Sequence, residues 1–312
     1  MKRIHFPAYL LLLAVLPFIA CSNQDLTEQV VTVRPGQLTA DHTVVSALWN
    51  GDIPESAVTR AVDTLHIGYG HTSHGSQLAD GMNGLVGFAN NGHLGGTAYS
   101  ENLFQWGHSA DDPGLHMFEG SGYGEGYLDH DCGYSGWDDK TRTYLDDHPE
   151  CNVIIWSWCG QVGDFDQQGL IDHYLEPMSQ LESEYPGVAF VYMTGHLDGA
   201  GEVTDENSAY RSNQQIRAYC RANNKWLYDF EDIESYDPDG VYYRDRLVND
   251  GCYYDSDNDG SRDANWAQAW QNSHEEGADW YSCGSQHSEP LNANMKAYAA
   301  WWLWCRIAGW DT

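Results

Sequence analysis

Apolar positions in this chain gather into short, nearly continuous runs separated by longer stretches of helical periodicity. The runs are TLHIGY (64–69), NVIIWSW (152–158), VAFVYMT (188–194) and WLYDF (226–230). Runs without polar alternation predict parallel strands covered on both faces. Helical spacing marks GLIDHYLEPMSQLESEY (169–185), NSAYRSNQQIRAYCRAN (207–223) and PLNANMKAYAAWWLWCRIAG (290–309), and IPESAVTRAV (53–62) reads as a short helix opened by its proline. Strand alternating with helix predicts an α/β fold, a doubly wound, mostly parallel sheet in three α/β/α layers. Residues 91–136 and 236–289 break the rhythm with Gly, Asp, His and Tyr, the first holding one expected strand near 114–120. Both inserts are expected to crown the sheet edge, where loops build sites. The last helix is apolar on every face, which predicts burial; it is too short, and too close to Lys296 and Arg306, to span a bilayer.

The first residues stand outside this pattern. Lys2 and Arg3 precede an apolar stretch, Tyr9 to Ile19, that ends in FIAC. This resembles the signal peptide and lipobox of bacterial lipoproteins, which implies cleavage before Cys21 and lipidation of that cysteine. The alternative is ordinary secretion with cleavage near Ala20. The resulting division is a signal peptide over 1–20, a tether over 21–50 and one α/β domain over 51–312. Acyl chains on Cys21 would hold the protein to a membrane. Ser22 stands where inner-membrane lipoproteins often carry aspartate, so the resemblance implies an extracytoplasmic, outer-membrane address.

Charge narrows the partners. The chain carries 15 basic and 46 acidic residues, a net charge of −31, and removing Lys2 and Arg3 takes it to −33. Such a field repels nucleic acid and anionic polymers and suits a neutral substrate. The 13 Trp and 20 Tyr fit an aromatic-rich core and also surfaces that stack on flat ligands such as sugar rings. Export permits disulfides. Of the seven cysteines after Cys21, Cys252 and Cys283 lie in polar, loop-like sequence and form the expected pair, with Cys132 and Cys151 as a second pairing.

The reactive residues fall where strands end. In an open parallel sheet, ligands bind beyond the carboxyl ends of the strands. Here those ends read Gly70-His71-Thr72-Ser73-His74-Gly75, Ser157-Trp158-Cys159-Gly160-Gln161 and Thr194-Gly195-His196-Leu197-Asp198, and Gly284-Ser285-Gln286-His287-Ser288 leads into the final helix. A serine turn after the first strand and a histidine before the last helix resemble the SGNH, or GDSL-type, hydrolases. That resemblance implies Ser73 as nucleophile and His287 as its base, the glycines near Ser73 allowing a tight turn. The departures are specific. HTSHG replaces Gly-Asp-Ser, and Gly284 stands where the family has its aspartate, leaving either Asp279 as the orienting acid or a Ser–His dyad. The Gly-x-Asn-Asp segment is missing, so Gly160 and the Gln161 side chain are the expected oxyanion donors. The strings YGHTSHGSQ, WSWCGQ, YMTGH and LYDFEDIESYDPDG also resemble a group of exported bacterial proteins without an assigned activity.

His71, His74, His196 and Asp198 are expected to line the pocket, and the three histidines together would suit zinc. Cys159 has no histidine beside it in sequence and reads as a buried thiol. DSDNDGSRD (255–263) places Asp255, Asp257, Asp259, the Ser261 carbonyl and Asp263 at positions 1, 3, 5, 7 and 9 of a calcium loop, with Gly260 at position 6. Trp266 takes the place of the closing glutamate, so the loop would bind weakly unless Glu275 or Glu276 helps. The expected calcium is structural, at extracellular concentrations that tolerate weak sites, and no cofactor is required for catalysis. The expected function is an exported, lipid-anchored serine esterase acting on acyl esters of a neutral glycan. The alternatives are an inactive glycan-binding lipoprotein on the same fold and a histidine-based metal-dependent hydrolase.

Overall fold

The computed structural model describes residues 38–95, 99–109, 111–119, 128, 130–133, 135–199 and 208–311, which belong to one compact unit, Val33–Thr312. The expected signal peptide and Cys21 lie outside the described residues. The elements run β1 (Thr39–Ala40), α1 (His42–Trp49), α2 (Glu55–Thr64), β2 (His66–Gly70), α3 (Ser76–Asn90), β3 (Trp106–Gly107), β4 (Leu115–Glu119), α4 (Trp137–Asp147) and β5 (Val153–Trp156). They continue as α5 (Gln167–Leu170), α6 (Glu176–Glu184), β6 (Ala189–Met193), α7 (Ala209–Asn223), β7 (Trp226–Tyr228), α8 (Phe230–Ile233), β8 (Tyr253–Tyr254), β9 (Ala264–Asn265), α9 (Trp266–Ser273) and α10 (Pro290–Ile307).

Seven strands form one sheet in the order β1-β7-β6-β5-β2-β4-β3, every neighbouring pair parallel. The chain starts the sheet's centre at β2, builds β4 and β3 on one side, then crosses to β5, β6 and β7 on the other. The winding therefore reverses between β2 and β5, the position at which open parallel sheets form a crevice beyond the strands' carboxyl ends. Period-two side-chain alternation feeds a core on each face. Val153, Ile155, Val191 and Met193 pack with α1, α2, α3 and α10, while Ile154, Trp156, Phe190 and Tyr192 pack on the α4, α6 and α7 side.

The four apolar runs and the 114–120 stretch all form parallel strands, as the pattern predicts. The expected tether ends sooner than residue 50, because β1 joins the sheet edge beside β7 and α1 follows, capped by Asp41 accepting from the Thr43 amide. A two-residue strand is too short to show periodicity. The expected 169–185 helix is interrupted by a π-helical turn at Ile171–Leu175. Pro177 has no N–H and crowds the carbonyl four residues back. That carbonyl, His173 O, accepts instead from Trp137 Nε1 at 3.0 Å.

Helix α10 is buried along almost its whole length, with Trp301 and Trp304 fully enclosed. It lies so close to α3 that a Cβ on Gly81 would sit 2.1 Å from the Ala293 carbonyl oxygen. Lys296, also on α10, is wholly buried; it bonds to Glu234 Oε2 at 2.7 Å and to Gln77 Oε1, and stands over the Phe230 ring. Burial lowers the Lys296 ammonium and raises Glu234, and each charge opposes the other's shift.

Candidate active site

Strand β2 ends at Gly70, and the chain turns through a 3₁₀ segment, Ser73–Gly75, into α3. Ser73 has φ 21° and His287, just before α10, has φ 67°. Among the described residues only seven non-glycine positions have positive φ, and these two are among them. Strain of this kind costs about 1–3 kcal/mol and persists where the surroundings impose it. Their side chains meet: His287 Nε2 lies 3.1 Å from Ser73 Oγ, across 214 positions. The bond sits at the reversal of the winding, where the hydroxyl can lose its proton to the ring.

Among the described residues, no carboxylate is bonded to His287. Asp279 accepts from the Glu275 amide at 2.9 Å and lines a separate cavity of about 460 Å³ with His42, Trp49, Trp270, His274 and Tyr298. Ser73 and His287 thus meet as a pair without Asp279. His287 is held instead by stacking on His74, ring centroids 4.5 Å apart, and by its neighbour Gln286, whose carbonyl accepts from Gln77 Nε2 at 2.5 Å.

His74 is the centre of the crevice. Its ring is sandwiched between His287 and His196, the latter 3.7 Å away and within 6° of parallel. His74 Nε2 lies 2.9 Å from Asp250 Oδ2, and Nδ1 lies 3.6 Å from Cys159 Sγ. Burial, helped by the His196 and His287 rings, pushes His74 down to about 4 against the opposing bond to Asp250. Burial works to raise Asp250, but the His74 bond and nearby His196 outweigh it and hold the carboxyl below its usual range. An ionised carboxylate only accepts, so Nε2 carries the His74 proton and Nδ1 presents its lone pair to the thiol.

The other expected residues fall around this centre. Gly160 is left-handed (φ 89°), and a Cβ there would lie 3.7 Å from His196 Nε2. The Gln161 amide is turned inward: Oε1 accepts from the Cys159 amide at 3.0 Å and Nε2 donates to Asp131 at 3.3 Å. It shapes the Cys159 turn and does not point its donor at an oxyanion. Asp198 is exposed on the rim, bridging through its backbone to Asn249 beside Asp250. His196 Nδ1 lies 2.7 Å from its donor-accepting neighbour, the Leu197 carbonyl.

The three histidines do not form one ligand set. His71 is buried with both ring nitrogens unbonded, and its nearest charge is Glu119 at 3.8 Å. Asp250 takes the place expected for His71, its carboxylate and one nitrogen from each of His74 and His196 lying within 4.8 Å of one another. Sequence reasoning did not find Asp250. It lies in the irregular 236–289 insert, where no period marks which side chains turn inward.

The expected disulfide is not formed. Cys252 and Cys283 are free thiols, contacted by Asn292 and Asn294 respectively, residues two apart on α10 that point to different sides of a helix. Cys132 and Cys151 are free and buried as well. In the acidic loop, which joins β8 to β9, carboxylates of Asp255, Asp257 and Asp259 lie within 4.8 Å of one another. Asp255 accepts from the amides of Asn258, Asp259 and Gly260, whereas Asp263 is occupied by Ser256.

Compared with known protein families, characterised proteins and solved structures, the chain matches none of them.

Proposed function

We propose that the protein is a hydrolase of acyl esters in which Ser73 is the nucleophile and His287 its base. The observation that carries this reading is the 3.1 Å contact between Ser73 Oγ and His287 Nε2 at the reversal of the winding. His287 takes the hydroxyl proton as Ser73 attacks the carbonyl, then returns it to the leaving alcohol. The backbone amides of Ser73 and Gly160 hold the developing oxyanion; Gln161, committed to Asp131, supports the turn. The substrate class is an acyl ester of a neutral glycan, consistent with the acidic chain and with export by the FIAC segment and a lipid on Cys21. A structural calcium ion on Asp255, Asp257 and Asp259 belongs to the same proposal.

Hydrolysis of p-nitrophenyl acetate by wild type, Ser73→Ala and His287→Ala tests it. Each variant is expected to lose about a thousandfold in kcat/KM. Equal rates from wild type and Ser73→Ala would end the reading.

A further inference from the structure

The crevice holds a second set of groups that the serine mechanism leaves unused. Cys159 is half-buried at the carboxyl end of β5, one strand over from Ser73. Its Sγ lies 3.6 Å from His74 Nδ1, and the far side of that ring is bonded to Asp250 at 2.9 Å. The order thiol, imidazole, carboxylate is that of a cysteine nucleophile with an oriented base. The ring cannot swing away, because it is stacked between His196 and His287. Asp250 fixes the tautomer that leaves Nδ1 free to accept. No other cysteine among the described residues has a histidine bond: Cys132 and Cys151 meet backbone carbonyls, and Cys252 meets Ser288 and Asn292.

We infer that Cys159, His74 and Asp250 form a second nucleophile unit in this crevice, in which Cys159 takes acyl groups from activated esters or thioesters. The thiol proton passes to His74 Nδ1 as Sγ bonds to the acyl carbon. The adduct then breaks its bond to the leaving alcohol or thiol, which takes that proton, and the acyl group remains on Cys159 as a thioester. Water attacks next, giving its proton to His74 and its hydroxyl to the acyl carbon. The acid leaves, and Sγ recovers the proton. His74 Nδ1, left with its lone pair by the Nε2 bond to Asp250, accepts at both steps. The unit shares no residue with Ser73 and His287, so it stands whether or not they turn over esters.

The test uses the whole protein carrying Ser73→Ala, incubated with p-nitrophenyl acetate and followed by intact mass and peptide mapping. One acetyl group on Cys159, released by neutral hydroxylamine as a thioester is, and absent after Cys159→Ser, is the expected result. Adding Asp250→Asn, which removes the carboxylate and keeps the shape, is expected to slow acetylation about tenfold or more. No acetyl on Cys159, or an unchanged rate with Asp250→Asn, overturns the inference. Should Asp250→Asn fail to fold, the unfolded chain is the reference. At about pH 6, Cys159 in folded Ser73→Ala should be acetylated by p-nitrophenyl acetate about tenfold faster than in the same chain unfolded in urea, where His74 no longer stands beside the thiol as a base; an equal or slower rate overturns it. Fluorophosphonate labelling of Ser73 in Cys159→Ala reads the serine proposal separately.

Discussion

Gln77 and Gln286 lie 209 positions apart, and the Gln77 side-chain amide donates to the Gln286 carbonyl at 2.5 Å. The carbonyl belongs to the residue before His287, and Gln77 is the second residue of α3, four residues after Ser73. One side chain therefore ties the two ends of the proposed dyad together. Its oxygen accepts from buried Lys296, so it cannot rotate without leaving that ammonium short of a partner.

Replacing Gln77 should misplace His287. Gln77→Glu keeps an acceptor for Lys296, sets a second oxygen against the Gln286 carbonyl in place of the donor, and adds a buried negative charge near Glu234. We expect kcat for p-nitrophenyl acetate to fall by about tenfold with KM unchanged, since the loss is one of alignment. Circular dichroism should remain that of the wild type. An unaltered kcat would show that His287 is positioned without this bond.

The buried lysine makes a separate prediction about stability. Lys296 and Glu234 are both fully enclosed, and Glu234 also accepts from the Leu197 amide, beside His196. Lys296→Met leaves a buried carboxylate with no counter-charge and is expected to cost about 3–5 kcal/mol in urea unfolding. Pairing it with Glu234→Gln, which retains the acceptor for Leu197 but not the charge, should restore much of that loss. A double variant no better than the single one would mean that lost packing over Phe230, not the stranded charge, sets the cost.

The residues legible in the sequence are those whose place follows from a neighbouring element. Ser73, Cys159 and His196 follow strands, and His287 precedes a helix, so chain order alone brings them to one rim. Their partners were not legible. Asp250 reaches His74 from an irregular insert, and Glu119 meets His71 at the end of the expected 114–120 strand, whose burial pattern gives no hint of a charge pair. Lys296 illustrates the same limit. Helical spacing shows that α10 is buried, but a lysine inside it is explained only by Glu234 and Gln77, which arrive from elsewhere in the chain. Asp279 shows the converse: close to His287 in sequence, it is bonded to the Glu275 amide instead.

His74 predicts how stability responds to acid. It faces Asp250, Cys159, His196 and His287, and its folded value is about 4 against an ordinary histidine value of 6.5. Between these values the unfolded chain binds the extra proton and the folded one does not, so stability rises with pH across this window. The full difference corresponds to about 3 kcal/mol, reached above the unfolded value and lost below about 4. Asp250, held low, adds to the loss only as pH falls further through its own folded value. Urea midpoints measured across the window should flatten in His74→Asn. A slope of the same size in that variant would place the titration on another group.

Calcium should separate the acidic loop's ligands from its scaffold. Asp255 is anchored by three backbone amides and turns the loop over Gly260, at φ 91°, while Asp257 and Asp259 stand exposed with their carboxylates close by. Three hard oxygens on alternating positions suit a weak calcium site of the kind that works at extracellular concentrations, with a Kd near ~1 mM. At about tenfold that concentration, linkage gives a stabilisation of about 1.4 kcal/mol, read as a rise in the urea midpoint. Asp257→Asn should abolish the rise, because that side chain has no structural duty beyond a 3.3 Å contact to the Asp259 amide. Asp263→Asn should preserve it, because both Asp263 oxygens are already held by Ser256 across the turn. Magnesium, which demands a tighter octahedral shell, should have little effect at the same concentration. A midpoint that calcium leaves unmoved, or that Asp257→Asn moves as much as wild type, would make the loop a plain hairpin turn whose aspartates serve its backbone alone.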